Sequence, residues 1–251
     1  MTDPAYTPPP GPHGLLVVDK PLRLSSTSIV SVVKGRVRAG GATKRVKVGH
    51  AGTLDPLATG VLVVLIGRAT RLQDRVMGGA KRYTAEVDLS RRSDTDDLEG
   101  VLASVPCDPP GIDTIERTIA DRFIGEVMQA PPAHSAIKVD GKRAYALARA
   151  GQLDTLDKRP IRIDSIDIES YAWPLLTLDI RCGKGTYIRS LARDIGVALG
   201  TGGMLTALRR TEVAPFTLEH AHTLDAMPDP LVQQHLLNTE DFGLPPVRPH
   251  A

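Results

Sequence analysis

The sequence predicts an α+β fold built on a largely antiparallel sheet. Aliphatic or alternating runs that read as strands recur along the chain, and segments of helical spacing fall between them without a regular βαβ period. Glycine and proline signals such as Gly40-Gly41, Ala130-Pro131-Pro132 and Asp140-Gly141 separate the elements.

In order, Leu15 to Val18 is a buried strand ending at Asp19-Lys20-Pro21. Ser25, Ser26 and Thr27 offer N-caps for a helix over Ile29 to Val37, stopped by Gly40-Gly41, which suggests a mobile loop. Val61 to Ile66 is β-branched and apolar, a second buried strand. Lys81 to Leu89 alternates as a strand, Ser90 to Gly100 is polar and turn-like, and Ile112 to Phe123 has helical spacing. Beyond the break at Pro131-Pro132 and the turn at Asp140-Gly141, Ala144 to Ala150 reads as a helix closed by Gly151. Ile161 to Ile168 and Leu175 to Cys182 alternate as strands, and Ile188 to Leu199 is an amphipathic helix stopped by Gly200.

A chain of 251 residues holds one large domain or two small ones, and 41% hydrophobic with 24% charged residues is ordinary for a globular protein. Aromatics are only 4%, so aliphatic residues fill most of the core. Cys107 and Cys182 are far apart and in no metal-ligand spacing, which fits a reducing compartment. Met1 to Gly14 is proline-rich without an apolar signal core and reads as a disordered lead-in; no apolar run reaches membrane-spanning length. A cytoplasmic location is expected.

Charge is distributed unevenly. Between Asp19 and Asp74 the only acidic residue is Asp55, in Gly49-His50-Ala51-Gly52-Thr53-Leu54-Asp55-Pro56-Leu57-Ala58-Thr59-Gly60. Around it stand Lys20, Arg23, Lys34, Arg36, Arg38, Lys44, Arg45, Lys47, Arg68 and Arg71. A basic stretch with one embedded carboxylate suggests a polyanion held by the surroundings and chemistry done by the exception. An Asp-Pro pair taken alone is most often a turn. Gly183-Lys184-Gly185-Thr186 lacks the first glycine of a Walker loop and has Gly185 where Ser or Thr should follow Lys. Dinucleotide, zinc and nucleophile-elbow patterns are absent as well.

Four segments in register decide between these readings: Gly14 to Pro21, Gly49 to Gly60, Lys81-Arg82-Tyr83, and Cys182 to Arg189 followed by Asp194-Ile195-Gly196 and Leu208-Arg209-Arg210. With Pro131-Pro132-Ala133-His134-Ser135-Ala136-Ile137-Lys138 and Gly141 to Tyr145, they resemble the TruB family of bacterial tRNA pseudouridine synthases, from about Gly14 to Pro245. The resemblance implies a pseudouridine synthase fold, with helices and RNA-binding loops flanking the sheet, over a catalytic domain 14–245 between the lead-in 1–13 and a tail 246–251. It implies isomerisation of the T-loop uridine by base flipping, C–N cleavage, rotation of the base and C–C bond formation, with no cofactor and no metal.

By the family pattern Asp55 is the catalytic carboxylate. Tyr83 stacks on the flipped base, Arg189 pairs with the aspartate, and Tyr187 is a second active-site aromatic. His50 fills the space that the extruded nucleotide leaves, and Lys20 and Leu208 line the base pocket. Taken alone, Tyr83 is an ordinary strand tyrosine, Arg189 and Lys20 are surface charges, His50 is a loop residue, and Tyr187 and Leu208 are core. Lys44, Arg45 and Lys47 are expected at phosphates of the tRNA T-arm stem-loop, although a solvated charge run is the simpler reading of each. No obligatory protein partner and a monomer are expected.

The sequence departs from the pattern at Arg23, where the first motif usually has glycine, at Ser90, also usually glycine, and at Met204, often histidine. The stretch Thr211 to Ala251 reads as finishing elements and a Pro-rich tail, so the C-terminal PUA domain common in bacterial relatives is expected to be absent. The alternative to an enzyme is a tRNA-binding folding factor that works on the T-arm independently of catalysis. A synthase acting on ribosomal or small nuclear RNA is a weaker third reading.

Overall fold

Leu15 to Val18 lies at the heart of β1 (Gly14–Lys20), buried throughout, and begins a chain whose elements follow the expected order. The computed structural model describes residues 11–133, 138–139, 142–143 and 156–247. After β1 come α1 (Ser26–Ala39), β2 (Val48–His50), β3 (Ala58–Ile66), α2 (Gln73–Gly78) and β4 (Lys81–Asp88). Next are β5 (Arg91–Ser93), β6 (Leu102–Ser104), α3 (Ile112–Arg122), β7 (Gly125–Gln129), β8 (Lys138–Val139) and β9 (Lys142–Arg143). β10 (Arg159–Ala172), β11 (Leu175–Cys182), α4 (Ile188–Leu199), β12 (Met204–Val213), β13 (Phe216–Thr217) and β14 (Ala221–His222) complete the set. The described residues up to Met77 and from Val213 onward form one compact unit, and those within Gly78–Glu212 form another.

In the first unit β1 lies between β3, antiparallel with Lys20 opposite Gly60, and β14, parallel; β2 adds to β3. β3 is buried along almost its whole length, which is why it reads as a continuous aliphatic run rather than an alternating one. Leu15, Val17, Val61, Val63, Leu65 and Phe216 form the core. α1 starts where Ser25 Oγ accepts the Ser28 N–H at 3.0 Å, and it buries Ile29, Val33 and Val37, spaced four apart on one stripe. Gly40 closes the helix with its N–H on the Arg36 carbonyl, and a β-carbon there would strike the Leu231 carbonyl. The loop expected to be mobile is thus fixed at its first glycine.

The second unit is antiparallel: β12, β4, β11, β10 and β7 are neighbours in that order, with Tyr83 opposite Ile180 and Lys81 opposite Cys182. Cys182 is buried, and burial pushes its thiol up to about 11, so it is an inert core residue. α4 turns Ile188, Leu191, Ala192 and Ile195 inward and ends at Gly200, left-handed at φ 72°. Two expectations need correction. Ser90 to Gly100 contains β5, which forms a hairpin with β6, and the strand expected over Ile161 to Ile168 runs from Arg159 to Ala172. The Asp140-Gly141 turn, the Ala144 to Ala150 helix and most of the lead-in and tail lie outside the described residues.

Candidate active site

Each unit carries part of the predicted set. In the first, Asp55 sits half-buried on the loop between β2 and β3, and both of its chain neighbours are pinned. The Leu54 N–H donates to Ser26 Oγ at 2.8 Å, and the same hydroxyl donates to the Leu54 carbonyl at 3.0 Å. The Arg23 N–H donates to the Pro56 carbonyl at 2.8 Å, and the Ala58 N–H to the carbonyl of Asp55 itself at 3.0 Å. A carboxylate on a loop backed by a rigid strand is thereby held in place through the backbone of its neighbours.

Lys20 belongs to this arrangement in a way its sequence context hides. It is 0% exposed, not a surface charge, and its Nζ donates to the carbonyls of Pro21 at 3.0 Å and Leu24 at 2.7 Å. The ammonium closes the 21–24 turn, and that turn presents the Arg23 N–H to the Asp55 loop. His50 is the last residue of β2, opposite Val64, so it projects from a strand rather than a loop. Lys44, Arg45 and Lys47 are exposed around buried Val46. Lys47 also lines a cavity of about 280 Å³ with Thr43, Arg68, Thr70 and Arg71.

In the second unit the start of α4 brings Tyr187 and Arg189 together. Tyr187 is the N-cap residue, and the side-chain amide of Gln129 clamps its backbone from both sides. Tyr187 N–H donates to Gln129 Oε1 at 2.9 Å, and Gln129 Nε2 donates to the Tyr187 carbonyl at 3.1 Å. The Arg159 guanidinium lies 5.3 Å from the Tyr187 ring centroid, a cation–π distance, and donates to the Gly185 carbonyl at 3.0 Å. Arg189 is buried; its Nη1 stands 3.3 Å from Asp97 Oδ2 and donates to the Thr95 carbonyl at 3.1 Å. Tyr83 is buried on β4, and Leu208 is half-buried on β12.

Lys81, two residues before Tyr83, is buried with its Nζ on the Gly79 carbonyl at 2.6 Å. Desolvation, aided by the nearby Arg210 charge, lowers its ammonium to about 8. Burial likewise pushes the carboxyls of Asp96 and Asp194 above their ordinary value, opposed by the charge of Arg193.

Ser26, Gln129, Asp96, Asp97, Arg159 and Arg193 were not singled out in the sequence as site residues. Ser26 was legible only as a helix cap, and the two aspartates only as part of a polar turn.

The TruB family model, described as the N-terminal domain of pseudouridylate synthases, matches residues 41–188. The model of the tRNA pseudouridylate synthase B C-terminal domain matches residues 189–241. The chain is 46% identical over 224 residues to tRNA pseudouridine synthase B of Arthrobacter sp., covering 87% of this chain and 71% of that protein. It is 47% identical over 234 residues to the protein of the same name from Corynebacterium aurimucosum, covering 91% and 75%. Among solved structures, a Cbf5-Nop10-Gar1 complex matches with TM-score 0.65 at 28% identity, over 90% of this chain and 59% of that one. An H/ACA RNP bound to a substrate RNA containing 2'-deoxyuridine matches with TM-score 0.60 at 27% identity, over 85% and 52%. This chain therefore spans between half and three-fifths of these two solved chains.

Proposed function

This chain belongs to the TruB family of pseudouridylate synthases, and from that premise we propose that it isomerises the T-loop uridine of tRNA, position 55, to pseudouridine. The observation that carries the reading is the Asp55 loop: a half-exposed carboxylate whose neighbours Leu54 and Pro56 are bonded to Ser26 and Arg23 on the preceding turn and helix. A carboxylate is the group this chemistry uses. It attacks or stabilises the anomeric carbon as the C–N bond breaks, or takes the C5 proton once the C–C bond has formed. Held in place before substrate arrives, Asp55 needs little reorganisation at the moment of reaction.

The other residues serve the flipped nucleotide. Tyr83 offers a face for stacking, Tyr187 stands near the proton transfer, and Arg189 serves as the partner of the aspartate. Lys20 and Leu208 border the base, Lys20 chiefly by fixing the turn above the Asp55 loop. His50 replaces the extruded base in the T-loop, lowering the cost of flipping. Lys44, Arg45 and Lys47, exposed around one buried anchor, suit phosphates of the T-arm stem-loop. The protein acts in the cytoplasm as a monomer and within one catalytic domain, 14–245. No helix among the described residues is long and apolar enough to cross a membrane.

The test is tritium release from a T-arm stem-loop carrying uridine tritiated at C5. Wild type should release tritium; Asp55→Asn should lose about 10³-fold in rate, the scale of a positioned acid–base group, and bind the RNA within about twofold, because the phosphate contacts are untouched. Binding without release by wild type would favour a folding factor. Loss of binding in Asp55→Asn would make the aspartate structural.

A further inference from the structure

We propose that Arg193 and Asp96 are positioning residues for Arg189: their ion pair seats the loop from which Asp97 holds the Arg189 guanidinium. The proposal rests on the reading of Arg189 as an active-site residue. Arg189 and Arg193 are four residues apart on α4 and so share one face of the helix. Two consecutive aspartates answer them: Asp97 Oδ2 is 3.3 Å from Arg189 Nη1, and Asp96 Oδ2 is 2.7 Å from Arg193 Nη1.

Consecutive residues of an extended chain point to opposite sides, so both carboxylates can face one helix only where the backbone turns. The turn is made at Asp96 itself, at φ 62°. The left-handed conformation is unfavourable for an L-residue, though less so for aspartate than for most. Something must hold it, and Arg193 has the reach. One guanidinium grips the Asp96 carboxylate, the Ala130 carbonyl at 3.1 Å and the Asp194 carboxylate at 3.0 Å from Nε. The backbone of Asp96 closes the turn, its N–H donating to the Ser93 carbonyl at 3.3 Å and its carbonyl accepting from the Leu205 N–H at 3.0 Å.

Downstream, Asp97 is a fixed extension of this turn. Its Oδ1 accepts from the Thr95 hydroxyl at 2.6 Å and the Glu99 N–H at 2.9 Å, which leaves Oδ2 toward Arg189. The Thr95 carbonyl, from the same loop, accepts from Arg189 as well. A shift of the loop therefore displaces both groups on the guanidinium at once, and charge-assisted hydrogen bonds have a narrow working distance. Neither Arg193 nor Asp96 needs to touch substrate for this to matter.

The experiment is single-turnover conversion of the tritiated stem-loop at saturating enzyme, with the Kd for the RNA measured in parallel. It uses wild type, Arg193→Ala, Asp97→Asn and the double variant. Arg193→Ala should lower the rate about tenfold, within the range that a misplaced group costs, with Kd within about twofold. It should add nothing in the Asp97→Asn background, where the route to Arg189 is already cut. Multiplicative losses, or an unchanged rate in Arg193→Ala, would overturn the proposal. Asp96→Asn, which keeps side-chain volume and tolerates the left-handed backbone, guards against simple misfolding; it should lose about threefold, an ion pair having become a bond from the guanidinium to a neutral amide oxygen, and a wild-type rate would count against the idea. If wild type makes no pseudouridine, the reading of the site fails, and amide exchange decides the positioning claim. The Leu205 N–H should exchange about tenfold faster in Arg193→Ala while the α4 amides keep their protection; unchanged protection at Leu205 refutes it.

Discussion

Arg23 and Asp96 share an uncommon backbone, left-handed at φ 69° and 62°, and each sits beside one predicted site residue. Arg23 donates its N–H to Pro56, next to Asp55; Asp96 precedes Asp97, the partner of Arg189. The two solutions differ in kind. The Asp55 loop is tied by hydrogen bonds through backbone groups and the Ser26 hydroxyl, with the Lys20 ammonium closing the adjacent turn on two carbonyls. Around Arg189 the scaffold is ionic, with Asp97, Asp96, Arg193 and Asp194 in series. Hydrogen bonds to its chain neighbours are enough to fix a partly exposed carboxylate, whereas a buried guanidinium requires carboxylate and carbonyl partners to be buried at all.

The contrast is broken most severely on the ionic side. Asp97→Asn removes charge from a pair whose side chains are 8% and 2% exposed. It should cost about 3 kcal/mol, the low end for breaking a buried pair, read from the urea midpoint at constant slope. On the Asp55 side the corresponding change is Ser26→Ala. It deprives the Leu54 N–H of its acceptor and should cost about 2 kcal/mol, as a missing partner for a buried donor does, with slower tritium release at unchanged RNA affinity. If Ser26→Ala proved the more damaging to stability, the division into a hydrogen-bonded and an ion-paired scaffold would be the wrong description.

Lys44, Arg45 and Lys47 mark the other extreme, exposed cations outside either scaffold. Replacing all three by glutamine should leave the urea midpoint within about 0.5 kcal/mol, as surface changes do. The salt dependence of stem-loop binding should flatten by about two units of log K against log salt, at roughly 0.7–0.9 for each phosphate left unneutralised. An unchanged slope would place the RNA on a different face of the protein.

The sequence displayed these two scaffolds unequally, for physical reasons. β1, β3, β11, α1 and α4 were legible because their buried faces are aliphatic and the helix ends carry ordinary cap residues, Ser25 and Gly200 among them. β12 was not, since its periodicity is interrupted by Arg209 and Arg210, and Arg210 is buried despite its charge. β7 is a short strand that alternates Glu126 and Met128 outward, a weak apolar signal. Asp55 stood out as the lone acid in a basic stretch. Asp96 and Asp97 did not, because in a run that also holds Asp94 and Glu99 nothing in composition separates a structural carboxylate from a solvated one. Lys20 shows the same limit: a lysine before a proline reads as surface, and only the fold reveals the carbonyls that receive it.

One departure from the family pattern sharpens the comparison further. The pattern that the sequence resembles leads one to expect glycine where Arg23 stands, and Arg23 adopts a left-handed conformation that glycine enters readily. Its side chain is exposed, whereas the Asp96 carboxylate is nearly buried against Arg193. Arg23→Gly should relieve about 1 kcal/mol of left-handed strain and lose part of that to the freer unfolded chain, for a net gain of about 0.5 kcal/mol. Asp96→Gly relieves the same backbone but discards the ion pair, and it should destabilise. Opposite signs in the two urea midpoints would establish that the first residue merely tolerates its turn while the second is held in it. A gain in both would mean that the Asp96 carboxylate contributes less than the strain it accompanies, and that Arg193 does not hold the loop.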